Sequence, residues 1–485
     1  MAKDCFSSFP KILVGGEWLK TGKELQVLSP YDGEVVGTTC LGGEEELDRA
    51  LASADAAFET LKKLPAYKRA EIIGRVVDGL KERREDLART IALEAGKPIT
   101  DARVEAARAA NTFQVALEET KRLGGELIPL DIIPGAEGRV GLVKRCPVGS
   151  VLGISPFNFP LNLVAHKVAP AMAVGCPIII KPATKTPLSA LLLGEIVAGA
   201  GWPEGAISVV PSPGPLVEKL LGDERVKKLT FTGSAEVGWR LKEKAARIKV
   251  TLELGGNAGV IVHEDADLEF AAKRCTVGAF SYAGQVCISV QRIYVHRKVF
   301  SEFKDKFVAN IKTLKLGDPM DETTEVGPMI DEGSLKRTGE WVKEALDGGA
   351  ELLTGGKRWG KGKEKGKIFE PTVLTGTTPE MKVSCEELFA PVTTLEPFDD
   401  FEAALREVNR SRYGLQAGVF TSDTKKIFRA FDTLEVGGVV AGDIPTFRTD
   451  NMPYGGVKES GFGREGVRYA MEEMTEMRLL ALNLS

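Results

Sequence analysis

VGSVLGISPFNFPLNLVAHKVAPAMAVGCPIIIK (residues 148–181) sets two short apolar runs on either side of a helical pattern. The runs VGSVLGIS (148–155) and PIIIK (177–181) read as buried strands, and the segment from Leu161 to Val174 is long enough for a helix. The alternation continues downstream. Thr186 caps a helix whose first residue is Pro187, the favoured place for proline. AISVV (206–210) is the next strand, a short helix follows Pro215, and KKLTF (227–231), a helix from Ala235 and VTLEL (250–254) complete the series. Strands alternating with helices predict a parallel sheet covered on both faces, whose ligands bind beyond the carboxyl ends of the strands.

Upstream of this block the chain is helical. Apolar residues recur at helical spacing over 44–64, 68–95 and 104–123, until Gly124, Gly125 and Pro129 break the pattern and a β stretch runs from Gly138 to Cys146. Downstream, a second α/β section extends from Ala258 to about Phe447, with strands expected near 258–262, 292–296, 369–375 and 415–420. The Gly/Lys-rich run 355–367 reads as a solvated loop. The tail closes on LLALNL (479–484), suited to add a strand to a neighbouring sheet.

A chain of 485 residues exceeds one ordinary core and predicts two or three domains. Its 64 basic and 68 acidic residues leave a formal charge of −4, which offers no footprint for nucleic acid or an acidic membrane. MAKDCFSSFP lacks the layout of a signal peptide, and the most apolar run, 170–180, is closed by Lys181 short of the roughly 20 residues of a membrane span. Seven cysteines without a CxxC pair, and only three histidines, argue for reduced thiols in a cytoplasm and against a metal site or Ser-His-Asp triad.

Three residues carry candidate chemistry. Cys287, in AGQVCIS (283–289), ends a helical pattern beside a flexible Gly284; as a nucleophile it needs a dipole or donor set to raise its thiolate fraction, whereas a lone cysteine is more often inert. Glu253, in LELGG (252–256), interrupts an apolar strand, where burial would raise its pKa toward the range of a general base; an exposed edge-strand Glu is the plain alternative. Asn158, in SPFNFP (155–160), sits between a strand and a helix, placed either to serve a turn or to donate to an oxyanion. GSAEVG (233–238) opens a helix after KKLTF, where free N–H groups can hold a phosphate, and Lys181 closes a strand at the ligand-binding edge.

SPFNFP, KPA (181–183), FTGS (231–234), LELGG, GQVC, EELFAPV (386–392) and PYGGVKESGFGREG (453–466), in this order, resemble the aldehyde dehydrogenase superfamily along essentially the whole chain. The resemblance implies two doubly wound α/β domains, a Rossmann-like cofactor domain (1–123 and 145–253) and a catalytic domain (254–450). It also implies a β oligomerisation element (124–144 and 470–485) that gives dimers or tetramers. It makes Cys287 the nucleophile, Glu253 the general base, and Asn158 with the Cys287 N–H the oxyanion hole. A nicotinamide cofactor would lie against Ser155, Pro156, Phe157, Lys181, Ala183, Thr184, Lys185, Phe231, Gly233, Ser234, Leu254, Gly255, Glu387 and Phe389. Thr184 stands where many NAD-preferring relatives carry a glutamate, so NADP is expected to be accepted alongside NAD.

For the substrate, the resemblance is to enzymes of small hydroxylated aldehydes such as lactaldehyde. Arg108, Asn162, His166, Val286, Ile288 and Arg448 are the candidate contacts. Glyceraldehyde 3-phosphate, sulfolactaldehyde and succinate semialdehyde are the alternatives. Val286 departs from the arginine usual in non-phosphorylating glyceraldehyde-3-phosphate enzymes, and His166 from the arginine of succinate-semialdehyde enzymes. A CoA-acylating enzyme, a non-redox acyltransferase or thioester hydrolase, and a non-catalytic protein on the same fold are the competing readings; the joint presence of Cys287, Glu253 and Asn158 weighs against the last.

Overall fold

The computed structural model describes residues 11–245, 247–360 and 367–484. The N-terminal decapeptide and positions 361–366 of the lysine-rich loop lie outside the described residues.

The apolar runs of the opening block form the centre of an eight-stranded sheet. Its spatial order is Glu17–Leu19, Ile12–Val14, Ile207–Val209, Ile178–Lys181, Ser150–Ile154, Val226–Thr232, Lys249–Glu253 and Gly461–Phe462. The five strands from Ile207–Val209 to Lys249–Glu253 are parallel and the flanking ones antiparallel. The chain winds outward from Ser150–Ile154 in one direction, then returns to lay Val226–Thr232 on its other side. That reversal opens a crevice beyond Ile154 and Thr232, the place where open α/β sheets bind ligands.

The N-terminal helices pack on this sheet as α1 (Glu44–Leu61), α2 (Ala66–Glu82), α3 (Arg84–Ala95) and α4 (Ile99–Thr120). The helical pattern over 68–95 is thus two helices, parted at Arg83 (φ −97°, ψ 18°), whose guanidinium reaches Glu195 at 2.5 Å. α4 begins at Ile99, before the expected Val104. Helix α5 (Asn162–Val174) is buried on every side, and α6 (Leu188–Gly199) follows the strand that ends at Lys181. Thr186 does not cap α6. The carboxyl group of Glu94, at the end of α3, accepts from Leu188 N (2.8 Å) and Ser189 N (3.0 Å), because packing brings it to amides that the short Thr186 hydroxyl does not reach; burial raises its pKa to about 7 against these bonds.

The second sheet has seven strands in the order Glu351–Thr354, Thr372–Thr375, Val392–Phe398, Val290–His296, Ala258–Val262, Gln416–Phe420 and Gly438–Ala441, all parallel except the first. The tail strand Thr475–Asn483 pairs antiparallel with Arg139–Pro147, which pairs with Glu126–Pro129. This pairing runs through to Pro147↔Thr475, so the three-stranded arm extends past the expected boundary at 144. Among the described residues no helix is long and apolar enough to cross a membrane.

Candidate active site

Cys287 reaches its place through a strained turn. The helix Leu268–Phe280 ends, and Tyr282 (φ 48°), Ala283 (φ 53°) and Gly284 (φ 66°) follow in the left-handed region. Two non-glycine residues held there cost energy that surrounding bonds must offset. Tyr282 Oη donates to Ala95 O (2.8 Å), Gln285 Oε1 accepts from Ile330 N (2.8 Å), and Gln285 Nε2 donates to Tyr282 O and Pro328 O (both 3.3 Å). Gly284 is therefore not a hinge: a Cβ there would lie 2.1 Å from Ala390 O, so glycine is required by close packing.

Asn158 Nδ2 donates to Gln285 O at 3.0 Å and so braces the peptides leading into Cys287, while its second amide hydrogen remains for a ligand. Cys287 Sγ lies 3.1 Å from Tyr454 Oη. Burial pushes the thiol up to about 11; Glu387 and Glu253 push the same way, while the Tyr454 hydrogen bond and Arg448 oppose them.

Glu253 lies inside the sheet, paired at Gly461 by a further strand, and so is not an edge-strand surface residue. Neither carboxyl oxygen has a hydrogen-bond partner. Burial, then the nearby Glu465, raises its pKa well above the carboxylate range, against the pull of Arg448 and Lys167. The opposite holds for Glu465. Burial works against its charge, but Lys167 Nζ (3.2 Å to Oε1), Arg448 (3.2 Å to Oε2) and His166 bring its pKa down to about 2. Lys167 also donates to Thr232 Oγ1 at 2.6 Å. Sequence reasoning passed over both Lys167 and Glu465, although a lysine amid the apolar run LVAHKVAPA (163–171) is a signal that could have been read.

A cavity of about 200 Å³ opens beside the sulfur, lined by Cys287, Val286, Ile288, Arg448, Arg108, Asn162 and Tyr454, and by Lys97, Asp101, Glu105, Phe159 and Thr446, which the sequence did not single out. Arg108 donates to Asp450 Oδ1 (2.9 Å), and Asn162 Oδ1 accepts from Thr112 (3.1 Å). Lys97 bonds to Glu105 and lies 3.6 Å from the Phe159 ring centroid, and Glu105 also accepts from Leu161 N and Asn162 N at the start of α5. Arg448 Nε is buried without a partner. His166 corrects the expectation of a substrate contact: it stands behind the wall, buried, with Nε2 on Asp450 (3.2 Å). Burial and then Arg448 lower its pKa.

The crevice between the strand ends is a groove of about 360 Å³, lined by Ser155, Pro156, Phe157, Lys181, Ala183, Thr184, Lys185, Phe231, Gly233 and Ser234. Burial brings the Lys181 ammonium down to about 8, and it has no hydrogen-bond or ion-pair partner among the described residues. Lys185 is paired with Asp331, which does not line the groove and offsets part of its charge. Arg240, paired with Glu218 at 2.9 Å, is a further cation in the groove lining. Through Ser234 the groove continues into a second cleft lined by Glu387. Gly255 is needed there because a Cβ would lie 2.1 Å from Glu387 Oε2; burial raises Glu387 to about 7. Phe389 meets Phe157 edge-on at 5.8 Å. Leu254 lines neither cleft and packs beneath Gly238, which corrects its assignment as a cofactor contact. A long groove with an unpaired lysine, a helix start at Ser234 and a carboxylate at its far end fits a dinucleotide.

His263, Glu264 and His296 also bring ligand atoms within 4.8 Å of one another, at the carboxyl ends of the second sheet's strands and away from the sulfur. Lys298 holds Glu264 (2.7 Å) and Asp265 holds His263 Nδ1 (2.9 Å).

Two α/β sheets, a half-buried cysteine, a buried carboxyl and a groove at the strand ends of the first sheet that suits a dinucleotide point to a class of oxidoreductase, and the comparisons give the family. The aldehyde dehydrogenase family model matches residues 18–480, and the chain belongs to that family. It is an NAD(P)-dependent enzyme of aldehyde oxidation. It is 43% identical to 3-sulfolactaldehyde dehydrogenase of Priestia aryabhattai over 98% of each chain. Among solved structures it is similar to aldehyde dehydrogenase 21 of Physcomitrella patens in complex with the reaction product succinate (TM-score 0.95, 45% identity, 98% of each chain). It is also similar to glyceraldehyde-3-phosphate dehydrogenase GapN of Methanocaldococcus jannaschii complexed with NADP (TM-score 0.90, 39% identity, 96% of this chain and 100% of the other).

Proposed function

We propose that this enzyme oxidises a short, hydroxylated aldehyde carrying a small anionic group, of the sulfolactaldehyde type, to its carboxylic acid. The observation that carries this reading is the cavity beside Cys287. At about 200 Å³ it suits a three- or four-carbon molecule, and it presents Arg108 and Arg448, whose carboxylate partners Asp450 and Glu465 stand outside its lining, while the acidic Glu105 within the lining is paired with Lys97. Relatives named for sulfolactaldehyde and glyceraldehyde-3-phosphate dehydrogenases, and one solved with succinate, share that anionic character.

In the mechanism, Cys287 Sγ attacks the aldehyde carbon. The free amide hydrogen of Asn158 and the Cys287 N–H donate to the oxyanion of the thiohemiacetal, and Asn162 contacts the substrate hydroxyl. Lys181, Ser234 and Glu387 would hold a nicotinamide cofactor, which when bound would supply the hydride acceptor. Collapse of the thiohemiacetal leaves a thioester on Cys287, and Glu253, once deprotonated, takes a proton from the water that releases the acid. Thr184, which adds no negative charge to the groove, supports the use of NADP. The exposed arm of Thr475–Asn483 is read as the surface that joins copies of the chain.

The test is kcat/KM over sulfolactaldehyde, lactaldehyde, glyceraldehyde, its 3-phosphate, succinate semialdehyde and a long alkyl aldehyde, with and without CoA. The anionic short aldehydes should lead. Preference for the alkyl aldehyde would sink the charged-cavity reading, and a requirement for CoA would replace hydrolysis with acyl transfer.

A further inference from the structure

Tyr454 touches the reacting sulfur, yet neither the sequence motifs nor the mechanism above gives it a task. Its Oη lies 3.1 Å from Cys287 Sγ, and the residue is only 3% exposed. Two backbone bonds fix its position: Tyr454 N donates to Glu465 O (3.0 Å) and Glu465 N donates back to Tyr454 O (2.6 Å). The guanidinium of Arg448 lies 3.6 Å from the ring centroid, held in turn by Glu465. Burial, then the neighbouring thiol and Glu253, raise the phenol's pKa well above its ordinary value, against the pull of Arg448. A phenol so placed keeps its proton and, facing an anion, can only donate it in a hydrogen bond.

We propose that the Tyr454 hydroxyl is the donor that holds Cys287 as a thiolate before it attacks the aldehyde. The inference rests on the nucleophile reading of Cys287. The thiol proton leaves to solvent in the substrate cavity, the phenolic proton stays on Oη, and an O–H···S⁻ bond forms. As the carbon–sulfur bond forms, the charge passes from sulfur to the carbonyl oxygen, where Asn158 and the Cys287 N–H receive it.

The charges around the sulfur show why a neutral donor is needed. Glu387 and Glu253 oppose a thiolate, and Arg448 is the cation that faces it. Across the cavity Lys97 is held by Glu105, beside Asp101, and Arg108 by Asp450. Arg448 is itself committed to Glu465, so its charge reaches the sulfur through the ring it covers, where a cation on the π face polarises the hydroxyl. Phenylalanine at 454 would keep the ring and its stacking and remove only the donor.

The experiment follows alkylation of Cys287 by iodoacetamide against pH in the full-length protein, with the modified peptide assigned by mass spectrometry. Tyr454→Phe should move the midpoint upward by about one pH unit, the scale of one hydrogen bond to a charged group. Its kcat/KM near pH 7 should fall about tenfold, a deficit that shrinks as pH rises. Replacing Tyr454 by 3-fluorotyrosine, whose phenol is more acidic, should move the midpoint down, and this decides the matter if the Phe variant does not fold. An unmoved midpoint in the Phe variant, or no downward movement with fluorotyrosine, overturns the proposal. Aldehyde oxidation surviving in Cys287→Ala would instead remove the nucleophile reading beneath it.

Discussion

Burial favours the neutral forms of the proposed nucleophile and base, raising the Cys287 thiol to about 11 and the Glu253 carboxyl well above its usual range. A buried charge is costly unless paired, so each group ionises only when something in the site compensates it. For Glu253 the direction is definite. Its carboxyl holds the proton at low pH and becomes a base as pH climbs through its raised pKa, so turnover limited by thioester hydrolysis should rise with pH along that limb. Glu253→Gln should keep a first-turnover burst of NADPH and lose about 10²–10⁴ in steady-state rate, with the rising limb abolished. A variant without a burst but with an unchanged pH profile would place Glu253 elsewhere in the reaction. Thr184 gives the second prediction at this scale. Thr184→Glu puts a carboxylate in the groove beside Lys181 and Lys185 and should cut kcat/KM for NADP by about tenfold or more, sparing NAD. Equal losses with both cofactors would mean that the position does not read the 2′-phosphate.

Two helices beside the site are held by carboxyl groups from elsewhere in the chain rather than by caps of their own, unlike the helices at Asp267, Asp331, Asp400 and Asp423, which are capped locally. α6 starts without a side-chain cap of its own and is held by Glu94 from the end of α3, and α5 is held the same way by Glu105 from α4. These carboxylates fix the helices that flank the loops carrying Asn158 and Thr184. Glu94→Ala should therefore cost about 1–3 kcal/mol in denaturant unfolding, since it strands two buried amides, while Thr186→Ala should cost under about 0.5 kcal/mol. A larger loss at Thr186 than at Glu94 would reverse the assignment of the cap. The strained turn 282–284 belongs to this scale too. It is held through the Tyr282 hydroxyl on Ala95 at the end of α3 and the Gln285 side chain on Ile330, so the conformation before Cys287 depends on both halves of the molecule.

At the scale of the whole molecule, the tail strand carries Met477 and Leu479 on one face, 66% and 57% exposed, with Leu127 exposed on the same three-stranded arm. Under the proposed reading that the arm joins copies of the chain, this exposed apolar strip is the contact surface. Met477→Lys with Leu479→Lys should lower the mass seen by light scattering without unfolding the chain; an unchanged mass would mean that the arm does not join copies. The alternation of strand and helix over 148–254 fixed the doubly wound sheet, because burial on both faces demands unbroken apolar runs and short connections. A carboxylate interrupting such a run was visible for the same reason, which is how Glu253 stood out, whereas Cys287 stood out only at the end of a helical pattern and through the family resemblance. Tertiary structure alone decided the partners. Glu94 meets Leu188, Lys167 meets Glu465 and Tyr454 meets Cys287 only after packing, and His166 was turned away from the cavity toward Asp450. Periodicity reports which face of an element is buried. Which charge then stands opposite which depends on contacts between residues up to hundreds of positions apart, and no local pattern encodes those.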